Sequence, residues 1–205
     1  MAGIIINDTK YALPKENYNS KAKKKTQIVV GNTFSSGMKH YLGWLTRLSG
    51  DYKKTAAFTI DVNGKIYQHY DPKYSSDFLP IKIANESIIS IVIENEGWLS
   101  KDEETGKFYT WVGNEFDKPE TVEERRWRNH EYWAPYTTKQ INALVRLVKH
   151  LGEKFNIPIQ TIGHNTKVDG IYDYSGVVFR SNYLKQCTDL TPAWDYESFQ
   201  NKLTK

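Results

Sequence analysis

The chain has 205 residues, 39% apolar and 25% charged, with a formal charge of +4 from 28 Lys and Arg against 24 Asp and Glu. This is the size and composition of one globular domain with a sizeable core. No apolar run approaches the roughly 18 residues of a spanning helix, so a protein that crosses a membrane by helices is not expected. The small, dispersed positive excess leaves no footprint for nucleic acid. A single cysteine, Cys187, excludes an internal disulfide and a multi-cysteine zinc site, and fits a reducing compartment. No basic region precedes the short run Ile4-Ile5-Ile6, so no secretory signal is expected.

In chain order, residues 1–25 read as an N-terminal arm. Pro14, Asn17, Asn19 and Ser20 break regular structure, and Lys21, Lys23, Lys24 and Lys25 mark a solvated approach to the first strand. Gln27-Ile28-Val29-Val30-Gly31 is a buried-type strand, β-branched and closed by Gly. Ser35 or Ser36 can cap a helix with Met38, Tyr41, Leu42, Leu45 and Leu48 on its apolar face, Gly50 as its stop and His40 on the solvent side. Ala56 to Asp61 and Lys65 to His69 flank Asn63-Gly64, a strong hairpin signal. Ile88 to Glu94 is nearly continuous Ile and Val, the pattern of a central strand.

From about residue 98 to 136 the chain is an aromatic and charged insertion, with Lys107 to Val112 as an edge strand and Glu123 to Arg128 as a charged helical turn. Thr137 and Gln140 have capping-box spacing, and Ile141, Leu144, Val145, Val148, Leu151 and Phe155 follow as one helix face. Ile157, Ile159 and Ile162, punctuated by Pro158 and Gly163, read as a short buried strand ending in a polar loop that carries His164. Arg180 can meet a ligand carboxylate or brace Asp189 or Asp195, and Tyr196 to Leu203 is a short helix that docks on the body. The order predicts an α/β (α+β) fold, one domain over residues 26–205 with a central mixed sheet flanked by helices. A histidine just past a strand end can project into a cleft, although a lone histidine is more often structural.

Several pieces carry a family resemblance. Ile28-Val29-Val30, then Phe58-Thr59-Ile60-Asp61 with Asn63-Gly64-Lys65-Ile66-Tyr67-Gln68, then Ser90-Ile91-Val92-Ile93-Glu94, then Gly163-His164 resemble the zinc-dependent N-acetylmuramoyl-L-alanine amidases of type 2. These are the relatives of peptidoglycan recognition proteins and phage lysins, and the resemblance runs over roughly residues 26–180. It implies a central mixed sheet, a zinc ion at the base of a groove, and cleavage of the amide joining muramic acid to the stem peptide. Such hydrolysis needs a polarised carbonyl and an activated water, which zinc supplies when three protein ligands leave a fourth position open.

The family pattern uses a His at the end of the first strand, a His after the last strand, and an Asp or Cys in the following loop. His164 matches the second. The first falls on Gly31, which has no side chain to donate, while its neighbour Asn32 offers only an amide oxygen. The third falls on Tyr174, at the family's spacing from His164 (174 − 164 = 10), with Asp173 one residue off and Tyr172 in place of an assisting Lys. Ala56 and Ala57 stand where some members carry Tyr and His. Glu94 stands where many carry a Glu able to accept a proton from zinc-bound water; its other reading is a charged residue closing a strand.

The expected site therefore comprises Glu94 as the catalytic group, His164 and Asp173 as zinc ligands, and Asn32, Trp98, Tyr172 and Tyr174 against the substrate. His69 or His130 could complete a rebuilt ligand set, and His150 is expected to face solvent. The expected function is a peptidoglycan-targeting, phage-related amidase-like domain whose catalysis is impaired or lost. The alternatives are an active zinc amidase with a rebuilt site, and a structural or protein-binding virion module. In the latter, Trp98, Trp111, Trp127 and Trp133 would stack on sugars or a protein partner. The expected partner is peptidoglycan or a muropeptide, met at the bacterial cell wall after cytoplasmic synthesis, with no role for nucleic acid or membrane.

Overall fold

The computed structural model describes residues 3–205. Along the chain come β1 (Ile6–Asn7), β2 (Gln27–Asn32), α1 (Lys39–Thr46), the hairpin strands β3 (Phe58–Ile60) and β4 (Ile66–Gln68), α2 (Lys82–Ser87) and β5 (Ile88–Ile93). There follow β6 (Trp98–Lys101), β7 (Phe108–Thr110), β8 (Glu123–Trp127), β9 (His130–Trp133), α3 (Thr138–Phe155), β10 (Gly176–Phe179), the single turn α4 (Arg180–Tyr183) and α5 (Tyr196–Leu203). The main sheet has the order β1-β4-β3-β5-β2-β10; among the described strands β3 and β4 pair antiparallel as a hairpin and the other neighbours pair parallel. A second, antiparallel sheet, β7-β6-β9-β8, is built wholly from the insertion. The expected α/β fold with a central mixed sheet is what the chain forms. Among the described residues no helix is long and apolar enough to cross a membrane.

β2 and β5 are buried throughout, as strands covered on both faces must be. Their register sets the two faces. Val30, Ile91 and Phe179 are partners and share one face, while Gly31, Val92 and Thr59 share the other. Phe199 of α5 packs on Phe179 on the first face. α5 also lies against α3, where Lys202 Nζ donates to Asn142 Oδ1 at 2.9 Å. α1 covers the second face. α3 carries the anticipated capping box: Gln140 N donates to Thr137 Oγ1 at 3.2 Å, and Thr137 N donates to Gln140 Oε1 at 2.9 Å. At the hairpin, Asp61 Oδ1 accepts from Asn63 N and Lys65 N, and Gly64 takes a φ of +75°. A Cβ there would lie 2.6 Å from the Lys139 carbonyl oxygen.

Four local expectations are corrected. α1 begins only at Lys39, after Met38 in the left-handed region, and neither Ser35 nor Ser36 caps it. It turns Trp44 and His40 to the sheet and leaves Leu42 at 59% exposure, while Leu48 falls beyond its end at 73%; the indole buries more apolar surface than a leucine would. Glu123 to Arg128 is no helical turn, because Glu123–Trp127 form β8. A charged run has no apolar stripe with which to dock a helix, but an edge strand needs only backbone partners, and β9 supplies them. The segment from Ile157 to Ile162 makes one bridge, Thr161 with Val177, rather than a strand. Finally, within residues 1–25, Ile6–Asn7 extend the main sheet, and buried Asn17 donates through Nδ2 to the carbonyls of Trp44, Gly50 and Tyr52.

Candidate functional site

The end of β2 is where the resemblance places the first metal ligand, and Gly31 there faces a filled hollow. A Cβ on Gly31 would lie 2.6 Å from Asp189 Oδ2, 3.0 Å from Arg180 Nε and 3.3 Å from Phe78. Arg180 Nη2 pairs with Asp189 Oδ2 at 2.5 Å, and the same oxygen accepts from Asn32 N at 3.1 Å. The Asp189 side chain is fully buried, and the Arg180 guanidinium lies over the Phe78 ring at 5.1 Å. Burial works against the guanidinium charge, but Asp189 beside it outweighs this and lifts the pKa above its ordinary value. Burial, together with Asp189, pushes the neighbouring Cys187 thiol up to about 12, so it stays protonated at neutral pH.

His164 lies on the other side of the sheet. Its ring stacks on Tyr196 at 5.0 Å and meets the edge of Phe179, whose face is opposite to that of Gly31. Burial pushes its pKa down to about 4, partly opposed by a hydrogen bond with the Thr191 backbone. Nε2 is buried without a partner. Asn32 shares this face with Val30; its Nδ2 donates to Tyr136 Oη at 3.3 Å, and its Oδ1 has no partner.

The remaining predicted residues are dispersed. Asp173 is exposed in the one-turn segment Ile171–Asp173, at the start of β2, where Gln27 Nε2 donates to the carbonyls of Ile171 and Tyr174. That is the opposite end of β10 from Phe179 and His164. Tyr172 is 52% exposed beside Tyr183, and the Tyr174 ring lies against Gly176. Glu94 is 3% exposed and committed to backbone: Oε1 accepts from Met38 N and Oε2 from Val62 N, each at 3.1 Å. Trp98 stacks on His130 at 4.4 Å within the second sheet, where Trp133 is fully buried and Trp127 packs against it.

A second polar cluster escaped sequence reasoning. His40 Nε2 lies 3.0 Å from Thr59 Oγ1, Thr59 Oγ1 lies 2.7 Å from His69 Nε2, and His69 Nδ1 lies 2.7 Å from the Tyr11 carbonyl oxygen. The carbonyl can only accept, so His69 carries its proton on Nδ1, Thr59 donates to Nε2, and His40 donates to Thr59. Both ring nitrogens of His69 are thereby committed to Thr59 and the Tyr11 carbonyl, and it joins no group of three ligand side chains among the described residues. The one available signal was Thr59 itself, a polar residue between Phe58 and Ile60 in a strand covered on both faces.

These residues do not fit a zinc ion. Among the described residues no group of three His, Cys, Asp or Glu side chains is placed to hold a metal. The hollow at Gly31 already contains a cation paired with its own carboxylate.

Fold and sheet order define a mixed α/β domain with helices on both faces of its central sheet. The sequence model for N-acetylmuramoyl-L-alanine amidase matches residues 4–174, and the chain belongs to that family. Among solved structures, the N-acetylmuramoyl-L-alanine amidase LysC from Clostridium intestinale URNW is 16% identical, with 100% of this chain and 99% of that chain covered and a TM-score of 0.55. PlyL is 14% identical over 98% and 97% of the two chains, with a TM-score of 0.56. AmiD from E. coli, solved with the substrate anhydro-N-acetylmuramic acid-L-Ala-D-γ-Glu-L-Lys, is 15% identical over 96% of this chain and 60% of its own, with a TM-score of 0.51. No curated protein matches the sequence.

Proposed function

We propose that this domain recognises peptidoglycan, as its family does, with hydrolysis of the muramoyl-L-alanine amide impaired or lost. The observation that carries this reading is the hollow at Gly31. The first ligand position holds no donor, Asp189 and Arg180 take the space a side chain would need, and His164 and Asp173 lie apart. Without three converging ligands among the described residues, no zinc is held to polarise the amide carbonyl and activate water. Glu94, with both carboxylate oxygens accepting from backbone amides, acts as a clamp rather than a free base. Action at a bacterial wall, in a phage-related setting, follows from the family reading.

The test is metal content and muropeptide cleavage for the wild type and His164→Ala. No bound zinc, no cleavage and retained sedimentation with purified cell walls are expected. About one zinc per chain, lost in His164→Ala and accompanied by cleavage, would instead establish a rebuilt catalytic site.

A further inference from the structure

Directly outside the Arg180–Asp189 pair the surface opens into a cavity of about 750 Å³. Phe34, Phe78 and Pro80 supply apolar wall, and Lys167, Arg180 and Lys185 supply charge. No acidic side chain lines it among the described residues. Arg180 reaches it with 22% of its side chain exposed, held in place by Asp189 beneath and Phe78 beside it. A guanidinium fixed from behind loses little freedom on meeting a second anion, so each hydrogen bond it makes is gained at low entropic cost. Lys167 has one carboxylate partner, Asp169, at 2.9 Å. Asp169 is 95% exposed, and such surface pairs exchange partners readily.

We propose that this cavity binds a free carboxylate of a wall stem peptide, with Arg180 as a built-in cation beside the lost metal-ligand position and Lys167 and Lys185 as its mobile partners. The aromatic and proline wall would take the aliphatic part of the peptide. The inference rests on the peptidoglycan reading and goes further, since it assigns a ligand group, a location and a metal-independent mode of binding.

The probe is anhydro-N-acetylmuramic acid-L-Ala-D-γ-Glu-L-Lys, compared with the same compound after conversion of its carboxylates to amides, both titrated calorimetrically with EDTA present. The wild type should bind the acid form about tenfold more tightly than the amide form, the size of one charge-assisted contact. Lys167→Ala/Lys185→Ala should weaken the acid form several-fold, leaving only the part of the acid preference that Arg180 supplies, and leave the amide form unchanged. Both lysines are exposed, so this variant keeps its fold, which its thermal melt verifies. Equal affinity for the two forms, or full affinity in the double variant, would overturn the carboxylate site. If cell walls still sediment the protein in that case, peptidoglycan recognition stands and only the site is wrong. If neither walls nor either form binds, the recognition reading falls and this inference with it.

Discussion

The Arg180–Asp189 pair at the end of β2 and the His40–Thr59–His69 chain across β3 occupy the same face of the main sheet, yet they reconcile polarity with burial in opposite ways. The first keeps both charges by placing them in contact. The second gives up its charge: burial pushes His69 down to about 4 and His40 to about 3, and each proton is assigned by a fixed hydrogen bond. The difference follows position. A charged group is retained where a cavity opens beside it, whereas the neutral chain is sealed beneath α1. Polar residues in one layer of a fold can thus belong to unrelated physical problems, and residue type alone does not separate them.

The sharpest way to break this comparison is Arg180→Ala. It leaves the Asp189 carboxylate fully buried without its cation, and a loss of about 3–5 kcal/mol in urea unfolding is expected. A loss below about 1 kcal/mol would mean that water reaches the pair and that the contrast is false. Acid should act on the other cluster. The folded His69 stays neutral while the unfolded chain takes up a proton, so stability is intact above the ordinary value near 6.5 and is lost as the pH falls toward 4. This contribution is roughly 3 kcal/mol, and His69→Gln should make that arm of a melting-temperature profile shallower between pH 7 and 4.5, with His40 and His164 keeping their own shares. The smallest effect is expected for Glu94→Gln, which keeps one acceptor oxygen for two backbone amides. About 1–2 kcal/mol should be lost in thermal unfolding. An unchanged melt would free Glu94 from its clamp role and return it to consideration as a base.

What could be read from the chain was whatever short-range chemistry determines. β2, β5, the Asn63-Gly64 hairpin and the capped α3 all follow from β-branched runs, turn residues and helical period within a few positions of one another. The apolar face expected for α1 is right in part: Met38 is buried and Tyr41 and Leu45 pack on the core, but Leu42 satisfies the period equally well and stays exposed because Trp44 takes the docking position. β8 was missed because its stability lies in the backbone of β9 rather than in its own side chains. At the candidate site, the resemblance singled out Gly31, and Arg180 with Asp189 was among the pairings considered. That these belong to one place could not be seen, since the contact from Asn32 N to Asp189 crosses 157 residues of chain. His164 and Asp173 suggested proximity through sequence spacing, but the strand β10 separates their positions by its full length.

The insertion reaches the rim of the cavity through Trp111 as well as through Arg128, which donates to the Leu184 carbonyl: Trp111 Nε1 donates to the Phe34 carbonyl oxygen at 2.7 Å while its ring is 51% exposed. Phe34 is itself part of the cavity wall. This indole is therefore a native optical probe. Occupancy that shifts Phe34 alters the hydrogen bond and the solvent contact of one tryptophan, and the emission spectrum of the unlabelled protein then registers what enters the cavity.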